Sequence, residues 1–208
     1  SSSNIKELMP SIIQPPPCSI MSKVSQIRRL DHYYQLSRTR HHKKPTCHNH
    51  LIWHYVKTYQ TRQHELKQLL TQGRFNLAPM QQRTFCPRPG SKPITISQLE
   101  PEDEIVLQSV KSVIEPHLRT SMDLKSASHL KGNGGLKSCV KQAYRYHKRY
   151  RYVLKTDIAQ FYQSIDHQKL LELLKPHLKD HKVLDLIEQH IDRCEIKNGV
   201  HYRIQHKS

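Results

Sequence analysis

The sequence predicts an α+β protein, and three observations carry that reading. Apolar residues recur at helical spacing over residues 48–72, 101–118, 167–178 and 182–193. Two short extended runs flank the turn residues Arg88-Pro89-Gly90-Ser91, and another pair flanks Asn198-Gly199. With 36% hydrophobic and 25% charged residues, a chain of 208 residues has enough apolar side chains to bury a core, which excludes wholesale disorder.

Residues 1–46 read as a flexible basic extension. Pro15-Pro16-Pro17 disfavours helix there, the run from Arg38 to Lys44 is charged, and one short helix is expected around residues 27–36. Residues 47–150 read as a helical region carrying a β-hairpin. Its first helix, 48–72, aligns Leu51, Ile52, Tyr55, Val56, Tyr59, Leu66, Leu69 and Leu70, and Gly73 stands where a left-handed C-cap belongs. The hairpin strands are 82–87 and 93–97. Pro101-Glu102-Asp103-Glu104 then opens a helix with proline and acids in its first turn, where a free N–H is not needed and negative charge is favoured. After the turn formers Gly132-Asn133-Gly134-Gly135, a helix is expected over 136–146. Residues 151–208 read as a strand, Tyr152–Ile158, then helices 167–178 and 182–193, the first capped by Asp166, and an Asn-Gly hairpin over 195–202.

Charge narrows the function. The chain has 34 Lys+Arg against 17 Asp+Glu, a net charge of +17, and a pI near 9.8, which favours a polyanionic partner. The excess is local. Nine Lys and Arg fall between Lys125 and Lys155 with no acid among them, whereas residues 161–208 hold seven acids and eight bases. Tyr144, Tyr146, Tyr150 and Tyr152 are interleaved with those cations. Cations neutralise phosphates and tyrosines stack on bases or sugars, so Lys131, Lys137, Lys141, Arg145, Lys148, Arg149 and Arg151 are candidate nucleic-acid contacts, a solvated basic face being the alternative. The five cysteines are scattered without a Cys-x-x-Cys pair, so reduced thiols in a cytoplasmic protein are expected. No apolar run has membrane-spanning length, and no membrane partner is expected.

Two further constellations bear on chemistry. In the expected strand, Val153, Lys155 and Asp157 share one face, and a carboxylate there needs a counter-charge, either a metal ion or Lys155. Cys47, His50 and His54 have spacing that could start a zinc site, with no credible fourth ligand; chance clustering among 16 histidines is the plainer reading.

The stretch Leu154-Lys155-Thr156-Asp157-Ile158-Ala159-Gln160-Phe161-Tyr162-Gln163-Ser164-Ile165-Asp166-His167 resembles motif A of reverse transcriptases, in particular the bacterial kind found in group II introns and retron-type elements. Residues 74–108 and the glycine turn 129–138 agree with that family in order and spacing, so the resemblance covers about residues 74–205. Lys92 stands before Pro93 where the family usually has Arg, and Glu104 follows Asp103 where Arg is common. The resemblance implies the fingers and first part of the palm of a right-hand polymerase, ending before the Tyr-x-Asp-Asp block. It implies RNA-directed DNA polymerase activity by two-metal nucleotidyl transfer, with no activity expected of this portion alone. Asp157 would be a catalytic carboxylate holding Mg²⁺ together with the Ile158 carbonyl. Tyr162 would lie under the nucleotide sugar, core packing being its alternative, and Arg83 and Lys92 would contact the triphosphate. The partners implied are an RNA template, a DNA primer, deoxynucleoside triphosphates and an intron or retroelement RNA. The rival reading, from another class, is a non-catalytic RNA- or DNA-binding remnant or accessory protein.

Overall fold

The computed structural model describes residues 19–43, 49–86, 88–121, 132–159, 161–197 and 199–203. They form seven helices and a four-stranded sheet in the order α1 (Ile20–Val24), α2 (Ile27–Lys43), α3 (Asn49–Gln72), β1 (Met80–Phe85), β2 (Ile94–Gln98), α4 (Pro101–Arg119), α5 (Gly135–His147), α6 (His167–Leu174), α7 (His181–Ile191), β3 (Cys194–Lys197) and β4 (Val200–Arg203). The α+β expectation holds.

Local signals place most of these elements. Ser19 caps α1, its hydroxyl accepting from the Ser22 N–H at 3.1 Å. Gly73 ends α3 with φ +71°, and the Arg74 N–H reaches back to the Leu69 carbonyl at 2.9 Å, a Schellman closure. Asp166 caps α6 as expected, and Asp180 caps α7. Asp180 does a second thing: its other carboxylate oxygen accepts the Met21 N–H at 2.7 Å and so ties α7 to α1.

The core lies among α1, α2, α3, α4 and α7, where Met21, Val24, Leu30, Tyr34, Leu66, Leu70, Ile105, Val110 and Val183 are buried together. Each such side chain removed from water contributes about 1.5–3 kcal/mol. Residues 19–43 correct the reading of an N-terminal extension. They are two helices of the core, since Met21, Val24, Leu30 and Tyr34 recur on one apolar side. Tyr34 stacks on Tyr59 at 3.7 Å between ring centres, and the Tyr59 hydroxyl donates to Asp31 at 2.6 Å, which joins α2 to α3.

The two hairpins form a single sheet in the order β2-β1-β3-β4, with β1 and β3 parallel through Met80↔Glu195 and Gln81↔Ile196. Glu195 reinforces the seam, accepting from the Ser97 hydroxyl and from Gln82. One sheet therefore takes strands from both sides of the expected boundary at residue 150. The Tyr152–Ile158 strand is a second correction. That segment is irregular and exposed throughout, with Tyr152 at 83% and Leu154 at 88%. Among the described residues no strand pairs with it, so neither ladder bonds nor burial offset the cost of ordering it as a strand.

Candidate nucleic-acid interface

Helix α5 is capped by Gly134 and begins at Gly135, which take φ +81° and +61° where a side chain would strain the backbone. A Cβ on Gly134 would also fall 2.5 Å from that of Ser138. Helical spacing then separates the chemistry of the helix into two sides. Leu136, Val140, Ala143 and Tyr144 run along one, and Lys137, Lys141 and Arg145, continued by Lys148, run along the other. A helix of this kind ordinarily buries its apolar side. Here none of its residues is buried, and Leu136 is 79% exposed.

Between Gly132 and Thr156 the chain carries seven Lys and Arg and no acid. Lys137, Lys141, Arg145, Lys148, Arg149, Arg151 and Lys155 are all exposed, which suits polyanion contact. The rings are held among them: Lys148 Nζ lies 4.7 Å from the Tyr144 ring centre, the Arg151 guanidinium carbon lies 5.9 Å from that of Tyr152, and Tyr146 and Tyr150 meet at 6.1 Å. Two clefts open on either side of Tyr146. One, of about 450 Å³, is lined by Ser138, Lys141, Gln142 and Arg145; the other, of about 390 Å³, by Ala143, His147, Tyr150, Tyr152 and Val153. Neither includes Asp157, Arg83 or Lys92.

Asp157 follows this cationic run with an exposed side chain, and its Oδ1 accepts the Ile158 N–H at 3.0 Å. It forms no ion pair with Lys155 or any other described residue. A carboxylate and a backbone carbonyl are hard oxygen donors of the kind Mg²⁺ takes, and such an ion keeps several waters. Among the described residues no group of three or more His, Cys, Asp and Glu is gathered. Four of the downstream acids are otherwise engaged: Asp166 and Asp180 cap helices, Asp192 pairs with His167 at 2.9 Å, and Asp185 accepts from Gln189.

Arg83 lies half-buried on β1 opposite Ile96, and Lys92 is exposed just before β2. The Tyr162 backbone lies in a 3₁₀ turn over Phe161–Ser164; its side chain and all of Lys131 fall outside the described residues. So do Cys47 and the His50 side chain of the zinc reading, while His54 is exposed on α3. Glu104, which departs from the family pattern, has its own work: it pairs with Arg40 and accepts from the Ser37 hydroxyl of α2.

One cluster carried no sequence signal. Asp103 and Arg193 are both buried, one in the first turn of α4 and the other between α7 and β3. Asp103 Oδ2 accepts the Ala78 N–H at 3.0 Å and lies 3.9 Å from Arg193 Nη1. Burial pushes the Asp103 carboxyl up to about 7, against the opposing pull of the Ala78 N–H and Arg193. His190, bonded to Arg193, is pushed down to about 4 by burial and then by the guanidinium charge. Arg193 itself is lowered by burial, and among the described residues its Nε and Nη1 have no hydrogen-bond partner. Asp103 could be picked out as a first-turn acid, but nothing in the sequence marks Arg193 as its neighbour.

No helix among the described residues is long and apolar enough to cross a membrane. No protein-family model matches the chain, and comparison with curated proteins returns no match.

Proposed function

We propose that the chain binds nucleic acid along the 132–155 face and serves as the template- and primer-gripping part of an RNA-directed DNA polymerase. The observation that carries this is the run of seven exposed cations, without an intervening acid, leading to the exposed Asp157. Phosphates supply the missing negative charge, and the release of their counterions drives binding. The catalytic part of the reading rests on the resemblance of residues 154–167 to motif A. On that reading Asp157 and the Ile158 carbonyl hold Mg²⁺, which when bound stabilises charge on a reacting phosphate. On the same reading Tyr162 would lie against the nucleotide sugar, and Arg83 and Lys92 would contact the triphosphate.

The test is titration of an RNA–DNA hybrid at rising salt, followed by fluorescence anisotropy. If four cations touch phosphates at once, the log–log slope is about −3.6, so a fourfold rise in salt weakens binding about 150-fold. Binding that ignores salt, or no binding at low salt, overturns the proposal.

A further inference from the structure

The two clefts beside Tyr146 differ in chemistry, and the difference bears on which form of nucleic acid is taken. One side is lined by Lys141 and Arg145 together with Ser138 and Gln142. On the other the wall is Ala143, His147, Tyr150, Tyr152 and Val153, without a charged side chain. A phosphate suits the first, and a flat, weakly polar ring suits the second. Tyr146 lines both clefts.

We infer that the apolar cleft receives an unstacked nucleobase while Lys141 and Arg145 hold an adjoining phosphate, so that this face selects single-stranded nucleic acid over duplex. The inference rests on the nucleic-acid reading above and adds the form of the strand. A duplex offers its phosphates to the cations but keeps its bases stacked inside, out of reach of Tyr150 and Tyr152. A single strand offers both. The rings are already positioned, with Tyr146 and Tyr150 tilted 59° to each other, and the exposed Lys148, Arg149 and Arg151 adjoin the lining residues His147, Tyr150 and Tyr152 in the chain. Every base has a flat apolar face, so the cleft is tolerant of sequence.

The experiment compares three probes of equal length by anisotropy at one salt concentration: oligo(U), the same phosphodiester strand with abasic sites, and an RNA–DNA hybrid. Stacking of one base makes oligo(U) bind about tenfold more tightly than the abasic strand. Tyr150→Ala removes that advantage and leaves the abasic strand unaffected, while Tyr150→Phe keeps it. Tyr150 is exposed, so neither change disturbs the core. Equal affinity for oligo(U) and the abasic strand, or equal weakening of both by Tyr150→Ala, overturns the inference while salt-dependent binding persists. If no probe binds in a salt-dependent way, the nucleic-acid reading fails and this inference fails with it.

Discussion

Replacing Arg193 with Met gives a destabilisation whose size depends on pH. Methionine fills much of the same space, and it removes a buried guanidinium whose Nε and Nη1 make no hydrogen bond among the described residues. What remains is Asp103, buried beside the Ala78 N–H. In the parent its folded-state value of about 7 lies above its ordinary value of 3.8. Between those two the native chain holds a proton that the unfolded chain has released, so stability falls as pH rises through the window and levels off above about 7. Without the Arg193 charge that opposes burial, the Asp103 value rises further. The variant keeps losing stability past pH 7, at about 1.4 kcal/mol per pH unit, while the parent does not. Glu100 and Glu102, also near the carboxyl, push in the same direction. In the folded parent His190 is lowered to about 4 by burial and then by the guanidinium charge, so it is neutral there at both pH 6 and pH 8. Urea unfolding at pH 6 and pH 8 reads the effect as midpoints at constant slope. The expected result is a stability difference larger at pH 8 by about 1.4 kcal/mol. A difference equal at the two pH values, or smaller at pH 8, would refute the Asp103–Arg193 account.

Three other outcomes follow from the geometry. Asp180→Ala removes the α7 cap and leaves the Met21 N–H without its acceptor, so urea unfolding should register a loss of about 2 kcal/mol. Leu66→Ala, at a fully buried core position, should cost about 2–5 kcal/mol in the same assay, whereas the exposed Leu136→Ala should change stability by less than about 0.5 kcal/mol. Primer extension on an RNA template by these 208 residues should stay at the level of an Asp157→Asn control, because one carboxylate holds Mg²⁺ weakly; extension well above the control would reveal a second carboxylate acting with Asp157.

What could be read in advance was local. Gly73, Asp166 and Pro101 act within a few residues of themselves, so their caps and helix starts are written in short stretches, and both hairpins are marked by their turn residues. The cationic face was equally legible, because seven charges without an acid must repel one another and seek solvent or a polyanion. Contacts between distant residues were not. The parallel pairing of β1 with β3 joins positions more than a hundred residues apart, and the Asp103–Arg193 approach joins α4 to the end of α7. The alternation of Tyr152–Ile158 reports a preference for extended backbone and is silent on whether a neighbouring strand exists to satisfy it. The charged run Arg38 to Lys44 concealed a core helix, because among the described side chains of α2 only Leu30, Tyr34 and Ser37 are buried, while Arg38, Thr39 and Arg40 are exposed.

The claim that residues 132–155 grip phosphates is tested most directly by the salt slope of RNA–DNA hybrid binding in the parent and in a Lys141→Gln, Arg145→Gln, Lys148→Gln, Arg149→Gln variant. All four side chains are exposed and none lies in the core, so the fold should be retained. Removing four phosphate contacts should make the log–log slope shallower by about 3.6. A variant that kept the parental slope would place the nucleic-acid contacts elsewhere and contradict the account.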